Sequence, residues 1–299
     1  MSVFLKEMAA ASRARLESAR RRRPKATLEA AARATPAPPP LRLSAQGFDL
    51  IAELKLRSPA AGALAPAGAG DLEPRVTAYA RAGAVAVSVL TEPSRFDGSL
   101  EHLQRGARAL APLGVPVMRK DFLIDPYQVL EARAAGAGGV LVIVRMLSRP
   151  EIGALLDCAR AHGLFVLLEA FDARDIEVMQ GFLGTGFLET ARGGPALLAG
   201  VNCRDLETLE VVPHRLTELA PLLPRGVPKV AESGVSSTAD AERVAAAGYA
   251  LALVGSALMQ GSDPGTLATA LLAAGRAALT ATAVVMPQIL IHIARSLSL

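Results

Sequence analysis

Eight short apolar runs, each of strand length and nearly free of polar interruption, recur along this chain from residue 50 onward. They are 50–54 (LIAEL), 84–90 (AVAVSVL), 115–118 (VPVM), 139–144 (GVLVIV), 164–168 (LFVLL), 197–201 (LLAGV), 227–231 (VPKVA) and 250–255 (ALALVG). Continuous rather than alternating apolarity marks strands covered on both faces, as in a parallel sheet. Ala-, Leu- and Arg-rich stretches of helical character separate them, for example 126–137 and 238–250. Gly83, Gly114, Gly136, Gly163, Gly226 and Gly248 each stand shortly before a run. A glycine there suits the left-handed residue that ends a helix and turns the chain into the next strand. A βα unit counted eight times predicts an α/β protein folded as a (β/α)8 TIM barrel over 50–275. No G-x-G-x-x-G follows the first run, which counts against a dinucleotide-binding sheet.

The barrel is expected to carry an extra N-terminal helical segment. Residues 1–49 read as a basic amphipathic helix followed by a proline-rich connector, TPAPPP at 35–40, extended rather than helical. Residues 276–299 form a tail of no evident role. Charges interrupt every apolar stretch of the N-terminus, so it is no signal peptide. The apolar stretch 277–293 holds Pro287, Gln288 and His292 and falls short of the ~20 residues a membrane span needs. With 51% hydrophobic and 20% charged residues the chain is globular, and a net charge of +4 is too mild for a dedicated nucleic-acid binder. Two cysteines, Cys158 and Cys203, make no disulfide framework, and the four histidines lack metal-ligand spacing. A cytoplasmic protein with no membrane or nucleic-acid partner is expected.

In a barrel of this kind the active site lies at the C-terminal ends of the strands. Read only at those positions, the sequence shows Glu53 and Lys55, Ser88 and Thr91, Lys120 with Asp121, Arg145, Glu169, Asn202 with Arg204, Glu232 with Ser233, and Gly255 with Ser256. Ionised groups at the ends of apolar strands are costly unless paired or used. The chain has only five lysines against 27 arginines, so Lys55 and Lys120 stand out: a lysine can give up its proton, an arginine cannot. They read equally as general acids or as partners of Glu53, Glu169 and Glu232. Burial and pairing pull their pKa values in opposite directions. Lys229 lies within the seventh run and either joins this network or reaches outward along the surface. The turns ESG (232–234) and VGSAL (254–258) follow the last two strands, where barrels often bind phosphate.

At these residues the chain resembles the indole-3-glycerol phosphate synthase family. The resemblance rests on IAELKLRSP (51–59), VSVLTEPSRFDGSLEHL (87–103), PVMRKDFLIDPYQVLEARAAGA (116–137), VLVIVRML (140–147), GVNCRDLETLEV (200–211), VAESGV (230–235) and ALVGSALM (252–259). These segments fall in order and span about residues 4–275; MRKDF and N-x-RDL are the most distinctive. The resemblance implies ring closure of 1-(2-carboxyphenylamino)-1-deoxyribulose 5-phosphate, with loss of CO2 and water, without cofactor or metal. It implies Lys120 as general acid at the carbonyl oxygen and Glu169 as acid/base partner in dehydration. Lys55 would hold the anthranilate carboxylate or the developing hydroxyl, with Glu53, Asn202 and Glu232 orienting groups and balancing charge. Ser58, Ser233, Gly234, Gly255 and Ser256 would hold phosphate, Arg204 would support the site, and Phe96, Phe122 and Leu206 would pack on the aromatic ring. The N-terminal helix resembles a family segment that packs over the barrel mouth.

Four features depart from the family pattern. Ala170-Phe171 follows Glu169 where a histidine is common, and is expected to be peripheral. Cys203 follows Asn202 and is expected to be a small spacer rather than a nucleophile. The glycine-rich stretch 181–200 is expected to displace strand six or to hold an insertion before it. The chain also continues past Gly275. Other phosphate-binding barrels, such as phosphoribosylanthranilate isomerase or the tryptophan synthase α subunit, and a non-catalytic scaffold are the competing readings. The isomerase would need a Cys/Asp pair at other strand ends. A monomer or weak homodimer acting on a small phosphorylated molecule is the resulting expectation.

Overall fold

The computed structural model describes residues 2–60, 62–64, 72–183, 193–194, 196–261, 263 and 265–280. Eight parallel strands close into a barrel: β1 (Asp49–Leu54), β2 (Ala86–Leu90), β3 (Val117–Lys120), β4 (Gly139–Ile143), β5 (Phe165–Ala170), β6 (Leu197–Asn202), β7 (Lys229–Glu232) and β8 (Leu251–Val254). Each pairs with its sequence neighbours, and β8 closes onto β1 through Asp49–Leu251 to Ala52–Val254. The six glycines before the runs all have positive φ, between 69° and 100°, the conformation that a side chain opposes.

Period-two alternation sorts each strand into two faces. Leu50, Ala52 and Leu54 pack outward into the layer between sheet and helices, with Val87, Val89, Val140, Val142, Val166 and Leu168. The other parity fills the barrel interior: Ile51, Met118, Leu141, Ile143, Leu167, Leu198, Val230, Leu251 and Leu253. Complete burial of each large side chain stabilises the fold by roughly 1.5–3 kcal/mol, an upper bound against a compact unfolded chain. Glu53, Lys120, Glu169, Asn202 and Glu232 share the inward parity one layer higher. The alternation that builds the core therefore also aims these five polar groups at one mouth.

Strand three lies two residues later than its apolar run, because ladder hydrogen bonds do not require apolar side chains. Arg119 is tolerated within it since its outward-facing guanidinium reaches Asp121 (3.0 Å), Glu131 (3.1 Å) and the Gln128 carbonyl (2.8 Å). Strand six is not displaced. It pairs with β5 and β7 without a register break, while 184–192 and 195 lie outside the described residues. Lys229 faces outward and donates to the Ala220 carbonyl.

The N-terminal segment forms two helices rather than one, α1 (Val3–Arg22) and α2 (Lys25–Ala34). Pro24 separates them, as its fixed φ and missing N–H dictate. Residues 36–43 are neither helix nor strand. The last described helix, 265–280, runs on past Gly275, and Arg276 donates to the Phe48 carbonyl and to Asp49; residues 281–299 lie outside the described residues. Among the described residues no helix is long and apolar enough to cross a membrane.

Candidate active site

At the C-terminal end of the barrel a cavity of about 420 Å³ has the size of a small-molecule site. All fifteen residues expected at the site line it: Glu53, Lys55, Ser58, Phe96, Lys120, Phe122, Glu169, Asn202, Arg204, Leu206, Glu232, Ser233, Gly234, Gly255 and Ser256. The Lys120 ammonium lies 3.2 Å from Glu169 Oε2 and 3.5 Å from Glu232 Oε2. Asn202 Nδ2 donates to Glu169 Oε1 at 3.1 Å, and its Oδ1 accepts the Arg204 N–H. Lys55 pairs with Glu53 Oε1 at 2.8 Å. Register explains the grouping: Glu169 stands opposite Gly200 and Asn202 opposite Glu232.

Two glycines make room for the carboxylates. A Cβ on Gly200 would collide with Glu232 Oε1, and one on Gly255 with Glu53 Oε1. The contest between burial and pairing has a different winner at each group. Burial opposes the charge on Lys120, but Glu169, Glu232 and Glu53 outweigh it and hold the ammonium above the ordinary lysine range. Burial likewise opposes ionisation of Glu53, and Lys55 and Lys120 overcome it, so its carboxyl falls below the usual range. At Glu232 burial wins: together with the negative charge of Glu169, it raises the carboxyl well above the ordinary glutamate range despite Lys120. Neighbouring carboxyls pushed in opposite directions are a recurrent way of dividing acid and base roles.

The wall facing the polar cluster is aromatic. Phe122 lies between Phe4 of α1, edge-on at 5.9 Å, and Phe96 at 6.2 Å. Ser12 of α1 donates to the Phe122 carbonyl at 2.6 Å, and Arg15 reaches Asp121 at 2.7 Å and Glu92 at 3.3 Å. The first basic residue of the arginine run, Arg20, is engaged within the chain, bonded to Asp125 and lying over the Tyr127 ring. Ser233 and Gly234 both have left-handed φ, and with Gly255 and Ser256 they form one rim of the cavity.

Several lining residues escaped sequence reasoning. Phe4 and Leu5 come from a helix distant in sequence, and nothing local marks them. Leu141, Ile143 and Leu253 form the floor and were accessible through parity. Phe171 is not peripheral: it lines the cavity, nearly fully buried, with the Arg145 guanidinium 4.6 Å from its ring centroid. Arg145 itself turns to Asp172 and Asp175 and does not line the cavity. Cys203 packs outward into the core, and burial pushes its thiol up to about 11, which suits a spacer and not a nucleophile. Among the described residues no group of three or more His, Cys, Asp or Glu side chains is arranged to hold a metal ion.

The model of the indole-3-glycerol phosphate synthase family matches residues 5–271 of the chain. An indole-3-glycerol phosphate synthase of a Parafrankia species is 44% identical over 233 residues, covering 78% of this chain and 81% of that protein. Proteins of the same description from Mycolicibacterium smegmatis and Mycobacterium tuberculosis are 40% and 39% identical, covering 81% and 83% of this chain and 85% and 86% of their own lengths. Among solved structures, a thiamine phosphate pyrophosphorylase from Pyrococcus furiosus aligns with TM-score 0.54 at 15% identity, over 79% of this chain and all of that one. At that identity the likeness concerns the barrel fold alone.

Proposed function

The chain belongs to the indole-3-glycerol phosphate synthase family, and from that premise we propose how its barrel mouth divides the labour of the reaction. The enzyme is a carboxy-lyase of tryptophan biosynthesis. It closes the ring of 1-(2-carboxyphenylamino)-1-deoxyribulose 5-phosphate and releases CO2 and water to give indole-3-glycerol phosphate.

Lys120 gives its proton to the ketone oxygen as the ring carbon attacks. The ammonium is firmly held, yet the alkoxide that would otherwise form is a far stronger base than an amine, so transfer runs downhill. Glu169 removes the proton lost in dehydration and, held by Asn202 and Lys120 on its two oxygens, needs no reorientation to do so. Lys55 takes the anthranilate carboxylate or the developing hydroxyl, oriented by Glu53; Asn202 and Glu232 orient and balance the charge. Phe96, Phe122 and Leu206 hold the aromatic ring. Ser58, Ser233, Gly234, Gly255 and Ser256 hold the phosphate, and Arg204, bonded to the Leu209 carbonyl, braces that side. The enzyme works in the cytoplasm as a monomer or weak homodimer, without nucleic acid, on its small phosphorylated substrate.

The observation that carries this assignment is the meeting of Lys120 and Glu169, from different βα units, within 3.2 Å in a cavity. The test is an indole-fluorescence assay on the purified protein without added metal. Wild type is expected to turn over, and Lys120→Met to lose nearly all turnover while still binding substrate measurably. Wild-type kcat in Lys120→Met would remove the proposed acid.

A further inference from the structure

Arg145 stands just past a strand end and has no part in the chemistry assigned above, but its partners tie it to the cavity wall. The segment F-D-A-R-D at 171–175 opens the helix Ala173–Gln180. Asp172 caps that helix by accepting the Asp175 N–H at 3.0 Å, and the Asp175 carboxylate turns back to accept the Phe171 N–H at 2.8 Å. Arg145 donates from Nε to the same Asp175 oxygen at 2.8 Å and from a terminal nitrogen to Asp172 at 2.7 Å. A planar guanidinium gripped by two carboxylates keeps its orientation. This one lies over the Phe171 ring, 4.6 Å from its centroid, within the range of cation–π attraction. The ring is therefore fixed by its own backbone, by a cation against it, and by burial to 3% exposure.

The fixed ring occupies a defined place in the mouth. Phe165, Leu167 and Phe171 all face the barrel interior, with Glu169 between them on the same parity, so Phe171 stands one step above Glu169. Around the lining, apolar side chains run without interruption from Phe96 and Phe122, after β2 and β3, through Leu141 and Ile143 on β4 to Phe171, and on to Leu206 after β6. The serine and glycine rim follows β7 and β8 instead. With the phosphate held at that rim, the aryl end of the substrate points into the apolar arc, and Phe171 stands in the middle of the arc.

We propose that Phe171 determines aryl specificity: its ring, positioned by Arg145, closes the aryl pocket and rejects carboxyphenyl rings that carry an additional alkyl group. This deepens, and rests on, the assignment of phosphate to the β7–β8 rim and of the aryl group to the apolar arc. A freely turning side chain would swing aside and admit a larger ring at little cost. A clamped one forces a larger ring either to clash or to break the Arg145 contacts, and discrimination comes from that clash. One methylene too many in an apolar pocket changes kcat/KM roughly 10–200-fold.

The test compares kcat/KM, read by indole fluorescence, for the parent substrate and for the set of its ring-monomethylated forms. In wild type at least one methylated form, the one whose methyl group meets Phe171, is expected to fall about tenfold or more below the parent. In Phe171→Ala the ratio of that form to the parent should rise on the order of tenfold, whatever the loss in absolute rate. Arg145→Ala leaves the buried ring in place, and so covers an alanine variant at 171 that does not fold; it should move the same ratio in the same direction, by about threefold or more. A purely structural role would lower kcat/KM for every substrate alike, and unchanged ratios in both variants overturn the proposal. Wild type that accepts all the methylated forms as well as the parent overturns it too. Failure of wild type to convert the parent itself would instead overturn the functional assignment.

Discussion

Gly255 shows how a residue with no reacting atom constrains the chemistry. Its missing Cβ leaves the space that Glu53 Oε1 occupies, and Glu53 in turn holds Lys55. Gly255→Ala is expected to push Glu53 aside and cost about 1–3 kcal/mol through overpacking. It should lower kcat/KM on the order of tenfold to a hundredfold, since small misplacements at a reacting centre are that damaging. Urea unfolding and steady-state kinetics on the one variant check both numbers. Individual site residues were legible in the sequence because ionisable groups at the ends of apolar strands are conspicuous. The aromatic neighbour Phe171 was not: it read as peripheral, since an apolar residue just past a strand end carries no charge to mark it as part of a site.

Helix α1 meets the segment just after strand β3 at one buried carboxylate, beside the Ser12–Phe122 hydrogen bond and the Phe4–Phe122 ring contact. Asp121 accepts from Arg15 of α1, from Arg119, from the Thr91 hydroxyl and from the Phe122 N–H. Burial opposes its ionisation, but Arg119 and Arg15 outweigh it and hold the carboxyl below the usual range. A depressed folded value stabilises the protein above the unfolded pKa of about 3.9, and that contribution is lost as pH falls through the folded value. Asp121→Asn, which leaves Arg119 buried against a neutral partner, is expected to cost about 3 kcal/mol at pH 7. The gap between it and wild type should narrow below about pH 4, as read from urea midpoints across pH. A gap that stays constant down to pH 2 would show that folding does not lower the pKa of Asp121. Strands themselves were readable to within two residues, and helix ends less closely, the stretch 238–250 ending its helix at Ala246. The division of the N-terminal segment into two helices was missed, although Pro24 signals it, because the basic run across 20–23 reads as one continuous polar face.

At the scale of the molecule, the barrel closes where its ends in sequence meet. Strand β8 pairs with β1, and Arg276 on the helix 265–280 clasps the Phe48 carbonyl, Asp49 Oδ1 and Ser44 Oγ. Arg276→Ala removes charge-assisted bonds far from the mouth and is expected to cost about 2 kcal/mol. That predicts a Tm lower on the order of 4–8 °C, with kcat at room temperature unchanged; an unaltered Tm would mean the clasp contributes nothing. The eightfold repeat, the strand positions and the polar residues at strand ends follow from the sequence by itself, because burial periodicity and glycine conformation are local properties written at each position. Which charge each polar group carries was decided only by the tertiary structure. A pKa depends on distances of a few ångströms between groups from different βα units, and closure of the barrel alone brings Glu53, Lys120, Glu169 and Glu232 to those distances. The same holds for Phe4: a helix more than a hundred residues from Phe122 in sequence becomes its neighbour only once α1 is laid across the mouth.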